Sequence, residues 1–262
     1  MKHSLLRLMV LRKLGYRGSR AAKKRILFNI LLISLVVASL VFAQIFVISM
    51  SRGIADKYAL LGNGHLQVHE TGELDLEPIQ GILDTQLVAQ SYALIYSPQA
   101  NKMVRLKGVG SDYFNEMRLS QLTMGAQETS EETNLPLILL STTLAEELEV
   151  EVNDRVALML VSQSSIRPQL CVIRNLYDSG YQELDANLVF CDYDLMHRLF
   201  GGKEETYYEL LVEQSRMKII KQELAATGYS VTSWDEENYS VATNLNTSRQ
   251  AVLGVMVAVA ML

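Results

Sequence analysis

The sequence predicts a membrane protein in which transmembrane α-helices carry an α+β extracytoplasmic domain. Three observations lead there. Ile26 to Met50 is a run of twenty-five residues without a charge. Residues 1–25 carry nine Lys/Arg and no acid, whereas the rest of the chain carries fifteen basic and all twenty-nine acidic residues. Between Ser51 and the uncharged run Ala251–Leu262, β-rich stretches alternate with short helical ones, the pattern of an α+β domain.

The N-terminal segment comes first. Residues 1–25 read as a cytoplasmic basic elbow; Ser4–Leu14 is rich in Leu and Arg, but its apolar residues form no single stripe. As a helix, residues 26–50 would be about 37 Å long against a hydrocarbon core of about 30 Å, enough for a first span. A cleaved signal peptide is the alternative, with Val41-Phe42-Ala43 as a cleavage shape. Its apolar core would run about 7–15 residues, and this run continues unbroken past Ala43. Positive charge beside the span holds the N-terminus in the cytoplasm, so the chain beyond Met50 lies outside it.

The domain expected over residues 51–248 is large enough for its own core. Arg52–Leu61 continues the helix as an exit stalk until Gly62-Asn63-Gly64 stops it. A strand follows at His65–Glu70, then a short helix from Pro78 to about Gln86, and strands at Val88–Tyr96 and Met103–Lys107 around a turn at 97–101. In the first of these, Tyr92, Leu94 and Tyr96 share a face. The acidic stretch Gly125–Asn134 is a linker. Thr143-Leu144-Ala145-Glu146 is a capping box, and Val156–Val161, Leu170–Leu176 and Asn187–Cys191 read as strands. A helix over Asp192–Phe200 stops at Gly201-Gly202. Strand Tyr207–Glu213 precedes a helix capped at Ser215, with Met217, Ile220 and Leu224 inward. Gly228 ends it before strand Tyr229–Trp234. Residues 251–262 make about 18 Å of helix, too short to span, and read as the start of a second transmembrane helix or as a buried terminal helix.

The chemistry is sparse. No G-x-x-x-x-G-K-[ST] loop, His-Glu-x-x-His or Gly-x-Ser-x-Gly motif occurs, so no catalytic or cofactor-binding residue is assigned. His65 and His69 would chelate a metal on a helix, but on a strand they lie about 13 Å apart, so no metal site is assigned either. The net charge of −5 argues against a nucleic-acid partner. Cys171 and Cys191 stand in expected strands, either as buried thiols or as a disulfide. Glu128, Glu131, Glu132, Glu146, Glu147, Glu149 and Glu151 read as solvated faces.

Several segments, in order, resemble lipoprotein-releasing ABC-transporter permeases of the wider MacB/FtsX-like permease superfamily. These are the basic elbow and long first span, Ser49-Met50-Ser51-Arg52-Gly53, and Gly64-His65-Leu66-Gln67-Val68. Leu148 to Val156 is similar to the family's leucine–valine–glycine–aspartate turn, with Asn153 where glycine is usual. Gly180 to Asp185 and Val231 to Asn238 complete the resemblance. It implies a four-span permease subunit of the bacterial inner membrane with its main domain in the periplasm. That domain would be MacB-like, with porter-like strand–helix parts at about 62–110 and 205–235 and an inserted β-rich part at about 134–202. It further implies a dimer of cytoplasmic ABC ATPase subunits as the energy source and a second permease subunit. Lipid and lipoprotein would be the cargo, and a periplasmic carrier a further partner. The subunit itself would not be an enzyme. The family's carrier-docking hairpin is long and hooked, whereas its counterpart here, Ser162–Gln169, is short.

Two sets of candidate residues follow. Val47, Met50, Ile54 and Leu61 recur at helical spacing, and Phe42 and Phe46 extend their surface toward the bilayer. With the resemblance, Phe42, Phe46, Val47, Met50 and Ile54 are a cargo- or lipid-facing set; packing against other spans would give the same pattern. Ser162, Ser164, Ile166 and Arg167 are the candidate partner loop. A MacB-like mechanotransmission exporter and an FtsX-like scaffold that regulates cell-wall hydrolases are the alternative functions.

Overall fold

The computed structural model describes residues 20–70, 74, 76, 79–126, 133–160 and 168–261. The expected elbow at Ser4–Leu14, most of the acidic stretch Gly125–Asn134, and all four residues of the partner loop (Ser162, Ser164, Ile166, Arg167) lie outside the described residues. The chain divides into two compact units, Met1–Arg52 with Thr243–Leu262, and Gly53–Ala242.

Helix α1 (Arg20–Lys57) contains the expected span. Leu27, Phe28, Leu31, Leu35 and Phe42 on it are each more than half exposed. Ser39 donates its hydroxyl to the Leu35 carbonyl at 2.9 Å, so this polar group is satisfied within the helix. Among the described residues, one helical stretch, Lys23–Asn63, is long and apolar enough to cross a membrane by length and composition.

In the second unit the helix passes into a π-helical turn, Tyr58–Asn63, and stops at Gly64 with φ +77°. Glycine is needed there twice over. The backbone is left-handed, and a Cβ would sit 3.1 Å from the Glu209 Cβ. The Gly-Asn-Gly stop thus stands where the sequence places it.

Strands β1 (Leu66–His69), β2 (Ile82–Tyr96) and β3 (Asn101–Val109) follow. The helix expected from Pro78 to Gln86 is a correction: from Ile82 onward the chain is strand, not helix. Residues 82–90 pair with Glu205–Val212 along their length. That long-range ladder overrides the local start signal, and Thr85 and Val88 suit the pleat. Helix α2 (Glu116–Leu119) is capped by the Asn115 side chain, and β4 (Thr123–Met124) and β5 (Leu137–Ser141) come next.

Helix α3 (Thr142–Leu148) is capped by Ser141, whose hydroxyl accepts from Leu144 N at 3.0 Å, rather than by Thr143. Asn153 has φ +76°, so the left-handed turn expected there is made by asparagine. After it come β6 (Arg155–Leu160), β7 (Gln169–Asp178), α4 (Gln182–Asp185) and β8 (Leu188–Asp192).

Asp192 caps α5 (Tyr193–Phe200), which ends at Gly201 in the left-handed region. Then follow β9 (Glu205–Val212), α6 (Met217–Ala226), β10 (Ser230–Ser233), α7 (Trp234–Glu237) and α8 (Tyr239–Met261). Ser215 does not cap α6; Arg216 occupies that position without a side-chain bond. Helix α8 starts well before Ala251, because residues 239–250 contain neither glycine nor proline to stop it.

Ten strands form one sheet in the order β10-β1-β9-β2-β3-β8-β5-β7-β4, and β6 bridges β7 and β2. The pairing β2-β3-β8-β5-β7-β6 therefore returns to β2 and closes a six-stranded ring. Long β2 belongs to both halves: its first part pairs with β9 and its last part with β3 and β6. Ala93, Ile95, Val104, Leu106, Ile138, Val156, Cys171 and Val189 share one buried cluster with α3 and α5. A separate cluster joins Leu66, Val68, Leu210, Val212, Ile220 and Leu224. The ranges 62–110, 134–202 and 205–235 thus share one sheet, and residues of 62–110 enter both clusters, one with 134–202 and the other with 205–235.

Cys171 and Cys191 are both buried and free. Strand β5 lies between their strands, which sets them about 9.5 Å apart laterally, beyond the reach of a disulfide. Burial pushes the Cys171 thiol up to about 12.

Candidate functional site

A helix ends with four carbonyls that have no partner inside it. In this chain three of those carbonyls, on Leu60, Leu61 and Gly62, are met by side chains of β3 and α2. Lys107, on β3, points its ammonium at the end of the π turn: Nζ donates to the Leu61 carbonyl at 3.0 Å and the Gly62 carbonyl at 2.8 Å. Arg118, on α2, donates from Nε to the Leu60 carbonyl at 3.1 Å. Cations at a helix C-terminus also meet the negative end of its dipole.

Carboxylates balance these charges. Glu209, on β9, stands 2.5 Å from Lys107 Nζ, and both side chains are fully buried. Asp84, on β2, pairs with Arg118 Nη1. Tyr113 ties the group together. Its hydroxyl accepts from Lys107 at 2.7 Å and donates to Glu209 Oε2 at 3.2 Å, and the Arg118 guanidinium lies 4.1 Å from its ring centroid. Two buried cations and two carboxylates leave the cluster formally neutral, which is the condition for burying ions at all.

Around this centre the turn is held by further bonds. Arg105 Nη1 donates to Asn63 Oδ1 at 2.9 Å, and Lys57 donates to the Ser179 carbonyl. Tyr58 donates to Glu183 at 3.3 Å and packs edge-on to Tyr181, with centroids 5.6 Å apart. Strands β2, β3 and β9 and helix α2 thus grip the turn from several directions. The arrangement fixes the helix end to the sheet. Burial lowers the Lys107 pKa to about 8 despite the opposing pull of Glu209. Tyr113 is raised well above its ordinary value, first by burial and then by Glu209.

The residues singled out from sequence are differently placed. Phe42, Phe46 and Met50 are 72, 58 and 55% exposed, and Val47 is half-buried. Ile54 is only 8% exposed, so it does not share the open face of Phe42, Phe46 and Met50. Leu61 is buried in the clamp as well. His65 accepts from Val212 N at 3.2 Å, while His69 faces Thr232 and Glu205, so the two histidines serve separate contacts. Glu146, Glu147, Glu149 and Glu151 are exposed.

Sequence reasoning missed Lys107, Arg118, Glu209 and Asp84. Strand alternation puts Lys107 on the face of Arg105 and exposed Met103, so no local signal marks it as buried; its partners come from the helix turn and β9.

No protein-family model matches the chain, and no curated protein matches it. Among solved structures, it is similar to the extracellular domain of the noncanonic ABC-type transporter YknZ from Gram-positive bacteria. Identity is 12%, coverage is 60% of this chain and 85% of that one, and the TM-score is 0.40. It is also similar to a domain described as a permease protein from Porphyromonas gingivalis, at 11% identity, with 64% and 90% coverage and a TM-score of 0.40.

Two outcomes are expected. Lys107→Met leaves the buried Glu209 charge faced by Arg118 Nη2 at 3.9 Å and no longer by the lysine, and should lower unfolding stability by about 3–5 kcal/mol. Adding Glu209→Gln removes that charge and should restore part of the loss; strictly additive losses in denaturant unfolding would show that the two do not act as a pair. The pH dependence has a definite sign. A lysine at about 8 in the folded state and 10.5 unfolded takes up a proton on unfolding between those values. Its contribution therefore makes stability rise with pH across that window, and Lys107→Met should flatten the rise.

Proposed function

We propose that this chain is the permease subunit of an ABC-type transporter in the bacterial inner membrane. It is a transport subunit rather than an enzyme, and a separate cytoplasmic ABC ATPase dimer supplies the energy. Its N-terminus is cytoplasmic and Gly53–Ala242 is extracytoplasmic, a reading supported by the charge asymmetry around α1. A second permease subunit, the same or homologous, completes the dimer. The cargo is a lipoprotein or similar amphiphile taken from the membrane, and a periplasmic carrier is a further partner.

The observation that carries the proposal is the clamp. Transport of this kind needs work done at one side of a membrane to reach a domain on the other. A helix apolar enough to cross, whose last turn is tied to a folded sheet by buried Lys107 and Arg118, has the construction of such a joint. The ordered resemblance from Ser49 through Asn238 supports the permease reading and its amphiphile cargo. Exposed Phe42, Phe46 and Met50 offer apolar surface for that cargo.

The test uses the tagged full chain expressed in its native membrane. It should co-purify with an ABC ATPase subunit and show no ATP turnover by itself, and depleting it should leave lipidated cargo in the inner membrane. A cysteine at Asn134 should be labelled from outside intact cells. Labelling from the cytoplasmic side only, or ATP hydrolysis by the chain alone, would contradict the proposal.

A further inference from the structure

Beside the clamp, and outside it, lies a cavity of about 430 Å³ lined by Tyr58, Tyr92, Met103, Arg105, Glu183 and Asn187. Two of these residues carry opposite charges that the fold does not neutralise. Among the described residues, neither Arg105 nor Glu183 has an oppositely charged group within 4.0 Å. Each is instead held in place by neutral groups. Asn63 accepts from Arg105, and the Tyr58 and Tyr181 hydroxyls donate to Glu183 at 3.3 and 2.8 Å. Both charges are felt at one phenol: burial and Glu183 raise the Tyr58 pKa, and Arg105 pulls it back.

An apolar track leaves the cavity along the sheet. Arg105 is in register with Tyr92, Met103 with Leu94, and Leu94 with Met159 on β6. Tyr92 and Met103 are 57 and 54% exposed although they stand in the middle of paired strands. Flexible methionines on an open face accommodate chains of varied shape.

We propose that this cavity binds a single-chain zwitterionic amphiphile, with its phosphate on Arg105, its ammonium at Glu183 beside the Tyr58 ring, and its chain over Tyr92, Met103 and Leu94. The guanidinium fork matches a phosphate, and an aromatic ring with a carboxylate suits an ammonium. The volume lies at the small-ligand end of pocket sizes, about 300–1,000 Å³, which suits one headgroup and the start of one chain. Tyr58 belongs to the turn that the clamp holds and lines the cavity, so an occupant would touch that turn directly. The inference rests on the amphiphile reading above, and it names a binding site that reading does not require.

The experiment uses the full chain in amphipol with photoreactive lysophosphatidylethanolamine below its micellar concentration, and maps adducts by mass spectrometry. Two control probes carry the same chain: lysophosphatidic acid, which lacks the ammonium, and an alkylammonium, which lacks the phosphate. Adducts should fall on the Tyr92 and Met103 peptides. Glu183→Gln should weaken lysophosphatidylethanolamine labelling about tenfold and leave lysophosphatidic acid labelling unchanged, the loss expected for one charged contact. Arg105→Gln should remove labelling by both phosphate probes. Because Arg105 also holds Asn63, Met103→Asp provides a second variant that should block the chain without touching the turn.

Labelling that ignores Glu183→Gln and Met103→Asp would overturn the proposal. So would displacement of the probe by an unlipidated peptide bearing the same charges, which would make the cavity a peptide site. Neither result bears on ATPase co-purification or cargo retention, so failure here is distinguishable from failure of the permease reading.

Discussion

The structure depends on one constraint: the end of a long apolar helix is buried, and its last carbonyls need donors where no water reaches. Each orphaned backbone group in such a place would cost about 1–3 kcal/mol. Lys107 and Arg118 supply the donors. Bringing two cations into a dry site then requires Glu209 and Asp84, and the Tyr113 hydroxyl bridges Lys107 and Glu209. Every strand that contributes a member of this set must be fixed in register for the set to close.

The sheet provides that register. Lys107 and Glu209 come from β3 and β9, which flank β2, the strand that carries Asp84. The same β2 closes the six-stranded ring at its other end. A single strand of fifteen residues therefore links the clamp to the ring and its apolar core. The cavity with Arg105 and Glu183 borders the same helix turn, whose Tyr58 lines it.

Much of this fold was legible in the sequence because its signals are local. Gly64, Asn153, Gly201 and Gly228 mark left-handed stops that the structure contains. Ile220 and Leu224 show a helical stripe that is buried. What was not legible depends on partners distant in sequence. Residues 82–86 became strand because β9, more than a hundred residues later, pairs with them. The clamp was hidden for the same reason. Lys107, Arg118 and Glu209 each read alone as a surface charge, and only the sheet order brings them together. The apolar face on α1 was read as continuous; Ile54 and Leu61 are instead buried, while Met50 remains exposed.

The central claim is that buried ions lock the helix end to the sheet. Amide hydrogen exchange of the full chain, with and without Lys107→Met, tests it most directly. The account predicts that Tyr58–Leu66 amides are protected as strongly as those of β2 and β9. In the variant, protection there should fall by orders of magnitude, and by more than that of the β5–β7 amides. Fast exchange of the turn in the unmodified chain, or protection unchanged by the variant, would contradict it.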